Sequence, residues 1–233
     1  MKRSMCIIIM GPPGAGKGTQ AIRVGEALGF PLISMGALIR TLFNRETDFD
    51  AQGLRIAFGD GYKEIIASAA KKAIEELKAR GLSWGELTID EIHKMHDSGK
   101  LLPDEFIMTF LKAALTQITN KVSKGILLDG VPRTVEQAKM LYPVLEAVGI
   151  RELKVIFLDV PREVCFDRIV KRAQEQPTRA DQESFEVRWK EYEEKTVPLL
   201  RYYESMGVLR KVDGVGAIEE ITQRILDVLK LRH

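Results

Sequence analysis

Short apolar runs that close on a glycine or polar turn set the rhythm of the chain. Cys6-Ile7-Ile8-Ile9-Met10, Gly125-Ile126-Leu127-Leu128-Asp129 and Val155-Ile156-Phe157-Leu158-Asp159-Val160 carry little polar alternation. Runs of that length and β-branching suit strands buried on both faces of a parallel sheet. Residues 31–34 and 208–212 are weaker candidates for two more strands. Helical spacing fills most of the gaps, over 17–28, 36–45, 104–120, 134–148, 162–174, 184–205 and 217–231. Strands alternating with helices of this length predict an α/β fold built on a doubly wound, parallel, five-stranded sheet with right-handed crossovers.

One stretch breaks the rhythm. Residues 47–85 hold an apolar stripe of Ile65, Ile66, Ala69, Ala70, Ala73, Ile74 and Leu77, the spacing of an amphipathic helix outside the sheet. No repeat, low-complexity tract or Pro/Ser-rich linker marks a second domain, so residues 1–233 are read as one. The stripe has two readings: an enlarged lobe packed on the rest of the chain, or a contact between copies in a homo-oligomer.

Composition narrows the class. Hydrophobic residues at 45% and charged ones at 29% belong to a globular chain rather than a disordered one. A formal net charge of +2 is too balanced for coating nucleic acid through bulk charge, so no nucleic-acid partner is expected. The early apolar run is far below the roughly 20 residues of a membrane span, and no cleavable leader follows Met1-Lys2-Arg3-Ser4. A cytoplasmic enzyme without a membrane partner is the expectation. Cys6 and Cys165 are too few for a disulfide framework or a four-cysteine zinc site and are read as packing residues. His93 and His96 have metal-compatible spacing on a predicted helix but no evident third ligand. Tyr192, Tyr202 and Tyr203 read as packing along the last long helix, and Glu191-Tyr192-Glu193-Glu194-Lys195 as an exposed charged face.

The chemistry begins after the first strand, with Gly11-Pro12-Pro13-Gly14-Ala15-Gly16-Lys17-Gly18-Thr19-Gln20 leading into a helix. Glycines let consecutive N–H groups turn inward on phosphate oxygens, the helix adds its N-terminal dipole, and Lys17 reaches the β/γ-phosphates. The usual phosphate loop puts Ser or Thr directly after the lysine; here Gly18 intervenes and the hydroxyl follows at Thr19. Gly-Lys-Gly-Thr resembles the loop of nucleoside monophosphate kinases.

Further motifs follow in the order of that family. Ser34-Met35-Gly36-Ala37-Leu38-Ile39-Arg40, Gly99-Lys100-Leu101-Leu102-Pro103-Asp104, Leu128-Asp129-Gly130-Val131-Pro132-Arg133-Thr134 with Gln137, Arg168-Ile169-Val170-Lys171-Arg172, Arg179-Ala180-Asp181 with Arg188, and Lys211-Val212-Asp213-Gly214 resemble adenylate kinase and its relatives. The resemblance implies the P-loop NTPase fold, a monophosphate-binding region over 34–102 with an extra insertion at about 47–85, and a short lid over 171–188. It implies that Gly14, Ala15, Gly16, Lys17, Gly18 and Thr19 hold ATP, helped by Arg168, Arg172 and Gly216. The AMP side would draw on Met35, Arg40, Lys100, Leu101 and Leu102, then on Gly130, Val131, Arg133, Gln137, Arg179 and Arg188. Catalysis would fall to Lys17, Arg133, Arg172, Arg179 and Arg188, with Asp129 orienting Mg²⁺ through water.

Elementary electrostatics agrees. Two nucleotides brought together collect several negative phosphates, so positioning and charge neutralisation by planar, permanently charged arginines dominate. The acceptor is an anionic phosphate oxygen, so no general base is required. Three departures colour the expectation. Met35 and Ala37 replace the more usual hydroxyl and carboxylate, and Val131 a common phenylalanine, which loosens base selectivity. Gln137 still favours adenine, having both a donor and an acceptor. The lid is short and lacks cysteines, so a zinc-stapled form is not expected, and the insertion adds roughly 40 residues. The reading is an adenylate kinase-like transferase acting on ATP, AMP and ADP. A pyrimidine or broad-specificity monophosphate kinase is the near alternative, and an ATPase of ribonucleoprotein assembly the distant one.

Overall fold

A computed structural model describes residues 4–81, 88–97, 102–118, 124–175 and 185–229. Five strands, β1 (Met5–Met10), β2 (Leu32–Ser34), β3 (Gly125–Asp129), β4 (Glu152–Asp159) and β5 (Leu209–Asp213), form one sheet in the order β2-β3-β1-β4-β5. Every pairing is parallel. Alternate residues of β1 feed opposite cores: Cys6, Ile8 and Met10 face one layer of helices, Ile7 and Ile9 the other. Both faces are therefore covered, which is why the runs lack polar alternation.

The first layer contains α2 (Met35–Leu42), α6 (Asp104–Thr116), α7 (Val135–Ala147) and α10 (Val197–Ser205); the second contains α1 (Lys17–Leu28), α8 (Arg162–Glu175) and α11 (Ile218–Leu229). The order reverses around β1, so the ends of β3, β1 and β4 open on the crevice where this architecture binds ligands. Among the described residues, no helix is long and apolar enough to cross a membrane.

The excursion resolves into α3 (Asp48–Phe58) and α4 (Tyr62–Ala79), followed by α5 (Ile89–Asp97). Ile66, Ala69, Ala70 and Ala73 of α4 are completely buried, and Ile74 and Leu77 nearly so. The stripe packs on α6 and α2, with Ile65 at its margin. It therefore finds its cover within its own chain, and the argument from an unpartnered face toward an oligomer lapses.

The predicted helix over 184–205 is interrupted. It runs as α9 (Phe185–Glu191), a π-helical turn at Tyr192–Thr196, and α10. Pro198 has no N–H to answer the carbonyl four residues back, and the chain widens just before it. Helix α2 also stops short of the predicted residue 45, where Asn44 turns left-handed at φ 53°. Cys6 and Cys165 are both buried, and burial pushes both thiols up, Cys165 to about 11.

Candidate active site

The side of the crevice expected to hold ATP grows out of β1. After Met10 the chain turns through Gly11, Gly14 and Gly16, all at positive φ, and enters α1 at Lys17 with no side-chain cap. An uncapped N-terminus leaves backbone N–H groups and the positive end of the dipole for an anion. The loop is pressed against α8: a Cβ on Gly14 would lie 2.4 Å from the Cys165 carbonyl oxygen. Lys17 Nζ donates to the Gly11 and Pro12 carbonyls at 2.9 and 2.8 Å. Burial pushes its pKa down to about 8 against the pull of Asp129, with Arg188 and Arg133 lowering it further. Arg168 donates to Ala15 O and to Gly214 O, the latter at 2.9 Å, so it ties the phosphate loop to the loop after β5. That second loop is shaped by Arg224, which donates to the carbonyls of Asp213 and Val215, and it presents Gly216 at the surface.

The side expected to hold AMP is assembled from more distant segments. Ser34 stands beside Asp129 across the β2–β3 pairing, and its hydroxyl donates to Asp129 Oδ2 at 3.2 Å while capping α2 through the Ala37 amide. Arg40 folds back over Gly36, where a Cβ would approach its Nη1 to 3.0 Å. Its Nε and Nη2 donate to Asp50 Oδ2 and Oδ1 at 2.8 and 2.6 Å. Arg133 donates to Gly130 O at 3.1 Å, and the space beside Gly130 is bounded by Arg133 Nη2, the Gly36 amide and Met35. Met35, Leu102 and Val131 are buried apolar walls. Gln137 is buried, and both ends of its amide are engaged: Oε1 accepts from the Arg133 amide and Nε2 donates to Asp104 Oδ1, each at 2.7 Å.

Two cavities connect these parts. One, of about 310 Å³, is lined by Gly18, Ser34, Arg40, Asp50, Asp129, Arg172 and Arg188. The other, of about 150 Å³, lies beside Lys17, Arg133 and Arg188 and is closed by Glu191, Tyr192, Lys195 and Thr196 of the widened turn. Arg188 lines both. Nearby, Arg162 of α8 pairs with Glu186 of α9 at 2.5 Å and lies over the rings of Phe185 and Trp189. Lys17, Arg40, Arg133, Arg172 and Arg188 thus border two cavities that share Arg188 at the mouth of the crevice, with Asp129 lining the larger.

A family model described as adenylate kinase matches residues 72–208, and one described as an AAA domain matches residues 10–109. The adenylate kinase of Thermus thermophilus is 32% identical over 226 residues, covering 97% of either chain. That of Stenotrophomonas maltophilia is 34% identical over 227 residues, covering 97% of this chain and all of its own. That of Leptospira biflexa is likewise 34% identical over 227 residues, covering 97% of this chain and 98% of its own. The chain belongs to the adenylate kinase family.

Within that family frame, Lys100, Leu101 and Arg179, with the middle of the lid, lie outside the described residues. Other expectations change. The stretch 191–195 is not uniformly an exposed face: Glu193 and Glu194 are exposed, but Glu191, Tyr192 and Lys195 turn onto the second cavity. Lys195 pairs there with Glu191 at 3.3 Å. His93 stacks on Phe43 with ring centres 4.4 Å apart, while the side chain of His96 lies outside the described residues. Asp50 was not among the expected site residues. Its one sequence signal is Thr47-x-x-Asp50, a capping pattern that announces a helix start and says nothing about Arg40.

Proposed function

We propose that this chain catalyses the reversible transfer of a phosphoryl group from ATP to AMP, giving two ADP. The observation that carries the reading is the gathering of Lys17, Arg40, Arg133, Arg172 and Arg188 around two cavities that share Arg188 at the strand ends. Adenylate kinases related over 97% of the chain support the same activity.

The division of labour follows the geometry. The phosphate-loop amides and Lys17 grip the triphosphate, while Arg168 joins the loops that would flank its base. Arg40 and Arg133 hold the monophosphate so that its oxygen lies in line with the γ-phosphorus. That oxygen forms the new P–O bond as the bond to the β-phosphate oxygen breaks. Arg172 and Arg188 neutralise the charge shared between donor, transferred group and acceptor. Arg179 would join them from the lid, and Lys100 and Leu101 would join Leu102 at the monophosphate base. Closure of the lid excludes water, the competing acceptor.

The donor set suits magnesium carried on the nucleotide. Asp129 is a single carboxylate, oriented by Ser34 and facing the cavity beside Gly18. Among the described residues no group of three or more His, Cys, Asp or Glu could cage a metal. Asp129 would hold Mg²⁺ through water, and the ion, bound mainly by phosphates and water, would supply charge neutralisation at the phosphates.

The test is to incubate the protein with Mg²⁺ and ADP alone and to separate the nucleotides. ATP and AMP appearing in equal amounts is the expected result; no ATP from a folded, nucleotide-binding protein would sink the reading. One observation favours a broader acceptor range. Gln137 is already committed to Asp104 and Arg133, and the walls at Met35 and Val131 are apolar. Turnover of CMP or UMP at rates matching AMP would support that second reading.

A further inference from the structure

We infer that Asp50, carried by the inserted helix α3, is a positioning residue of the monophosphate site: it holds the Arg40 guanidinium by one edge and turns the other toward the acceptor phosphate. The inference rests on Arg40 being a monophosphate-binding group, as proposed above.

The carboxylate is unusually well tied. Its Oδ2 accepts from Arg40 Nε at 2.8 Å, from the Thr47 amide at 2.9 Å and from the Thr47 hydroxyl at 2.9 Å; its Oδ1 accepts from Arg40 Nη2 at 2.6 Å. The Asp50 amide in turn donates to Thr47 Oγ1, closing a capping box. Asp50 is only 6% exposed. Burial alone would push its pKa up, but the bonds from Arg40 and Thr47 hold it below the usual carboxylate range.

Two consequences follow from this wiring. Asp50 cannot leave Arg40 without opening the N-terminus of its own helix, so it is not built as a plug that a phosphate displaces. It also takes only the Nε/Nη2 edge of the guanidinium. Nη1 lies over Gly36, which adjoins Gly130 and Arg133 Nη2. A guanidinium has five N–H donors in a rigid fork, and fixing one edge fixes the direction of the rest. The insertion thereby supplies more than bulk. It provides a wall of the larger cavity through Asp50, Gly53 and Leu54, and an anchor for an arginine that would otherwise choose among many rotamers.

The experiment is a double-mutant cycle on the whole chain, D50N, R40K and both together, read as KM for AMP and kcat at saturating Mg·ATP. Asn is isosteric and keeps an acceptor for Thr47, so the cap largely survives. D50N should raise KM for AMP about tenfold, with kcat within about threefold and KM for ATP unchanged. D50E should recover part of the loss. The double variant should be little worse than R40K alone, because Asp50 acts through Arg40. An additive cycle, or an unchanged KM for AMP in D50N, would overturn the inference. A lower KM would show instead that Asp50 competes with phosphate. If thermal melts show D50N unfolded, D50S, which removes the carboxylate but keeps a small hydroxyl at the helix start, decides by the same reading: a raised KM for AMP upholds the role and an unchanged one removes it. A wild-type chain that makes no ADP from ATP and AMP would bring down the proposed function itself, and this inference with it.

Discussion

The two halves of the crevice, proposed above as the donor and acceptor sites, are built by opposite strategies. The donor half is one continuous stretch, β1, a glycine loop and the first turn of α1, pressed between backbone elements. The acceptor half draws Arg40, Asp50, Gly130, Arg133 and Gln137 from separate elements and joins them through side chains. A backbone-built site is rigid and declares itself in a local motif. A side-chain-built site can be retuned one residue at a time, and here helix α3 has entered its wiring through Asp50.

The largest effect should come from removing the charged side chain set within the phosphate loop itself. Lys17→Met should lower kcat by about two to three orders of magnitude, since it deletes a positive charge aimed at the transferring phosphates. The fold should survive, because among the described residues Lys17 bonds to the Gly11 and Pro12 carbonyls of its own loop. Steady-state rates beside a thermal melt would check both. A variant within tenfold of wild type would remove Lys17 from the chemistry.

The same substitution made in each half sharpens the contrast. Gly14 sits at φ 86°, and an added Cβ would lie 2.4 Å from a backbone oxygen of α8. Neither the backbone nor its neighbour can yield, so Gly14→Ala should cost about 2–4 kcal/mol. That corresponds to a melting temperature lower by about 10 °C. At Gly36 the added Cβ meets the far end of a flexible side chain, Arg40 Nη1, at 3.0 Å, within a helix. Alanine is the better helix former by about 0.5–1 kcal/mol. Gly36→Ala should therefore leave the melting temperature level or slightly higher while raising KM for AMP several-fold, a shift of about 1 kcal/mol. If both variants lost stability alike, the division into backbone-built and side-chain-built halves would be wrong.

That division also explains what could be read in advance. The buried strands, the phosphate loop and α1 were legible because each depends on neighbours within a few residues: glycines where φ is positive, β-branched runs where both faces are covered. The stripe of α4 was legible as a helix face, but whether it packed at home or on another copy was not. Periodicity shows that a face must be covered, never by what. Asp50 was hidden because its partner lies on another helix and its local pattern reads only as a cap. Glu191, Tyr192 and Lys195 were misplaced for a geometric reason. Regular helical spacing sends that run outward, but the widened turn before Pro198 inserts extra rotation and swings part of it onto the crevice. Gln137 was expected to meet the monophosphate base, and its pairing with Asp104 could not be read because it needs the approach of α6 and α7.

The smallest effect probes the donor half through protons. Lys17 sits at about 8 rather than its ordinary 10.5, so between those values the unfolded chain holds more protons on it than the folded one. Stability of the nucleotide-free chain should therefore rise across that window as far as Lys17 is concerned. Nucleotide affinity should move the other way. A bound triphosphate brings negative charge to Nζ and favours the ammonium form, so binding above pH 8 must take up a proton. The affinity for ATP should fall by somewhat less than about tenfold between pH 7.5 and 9. Calorimetry at pH 8.5 in two buffers of different ionisation enthalpy reads the proton directly, as a difference in apparent binding heat that Lys17→Met abolishes. Asp50 gives no such signal on the acceptor side. Its depressed pKa keeps it charged throughout this range, and the stability it lends is lost only in acid, as pH falls through its folded value. Equal heats in the two buffers would mean that Lys17 is already fully charged before ATP arrives, and that its bonds to the loop carbonyls, rather than burial, govern its proton.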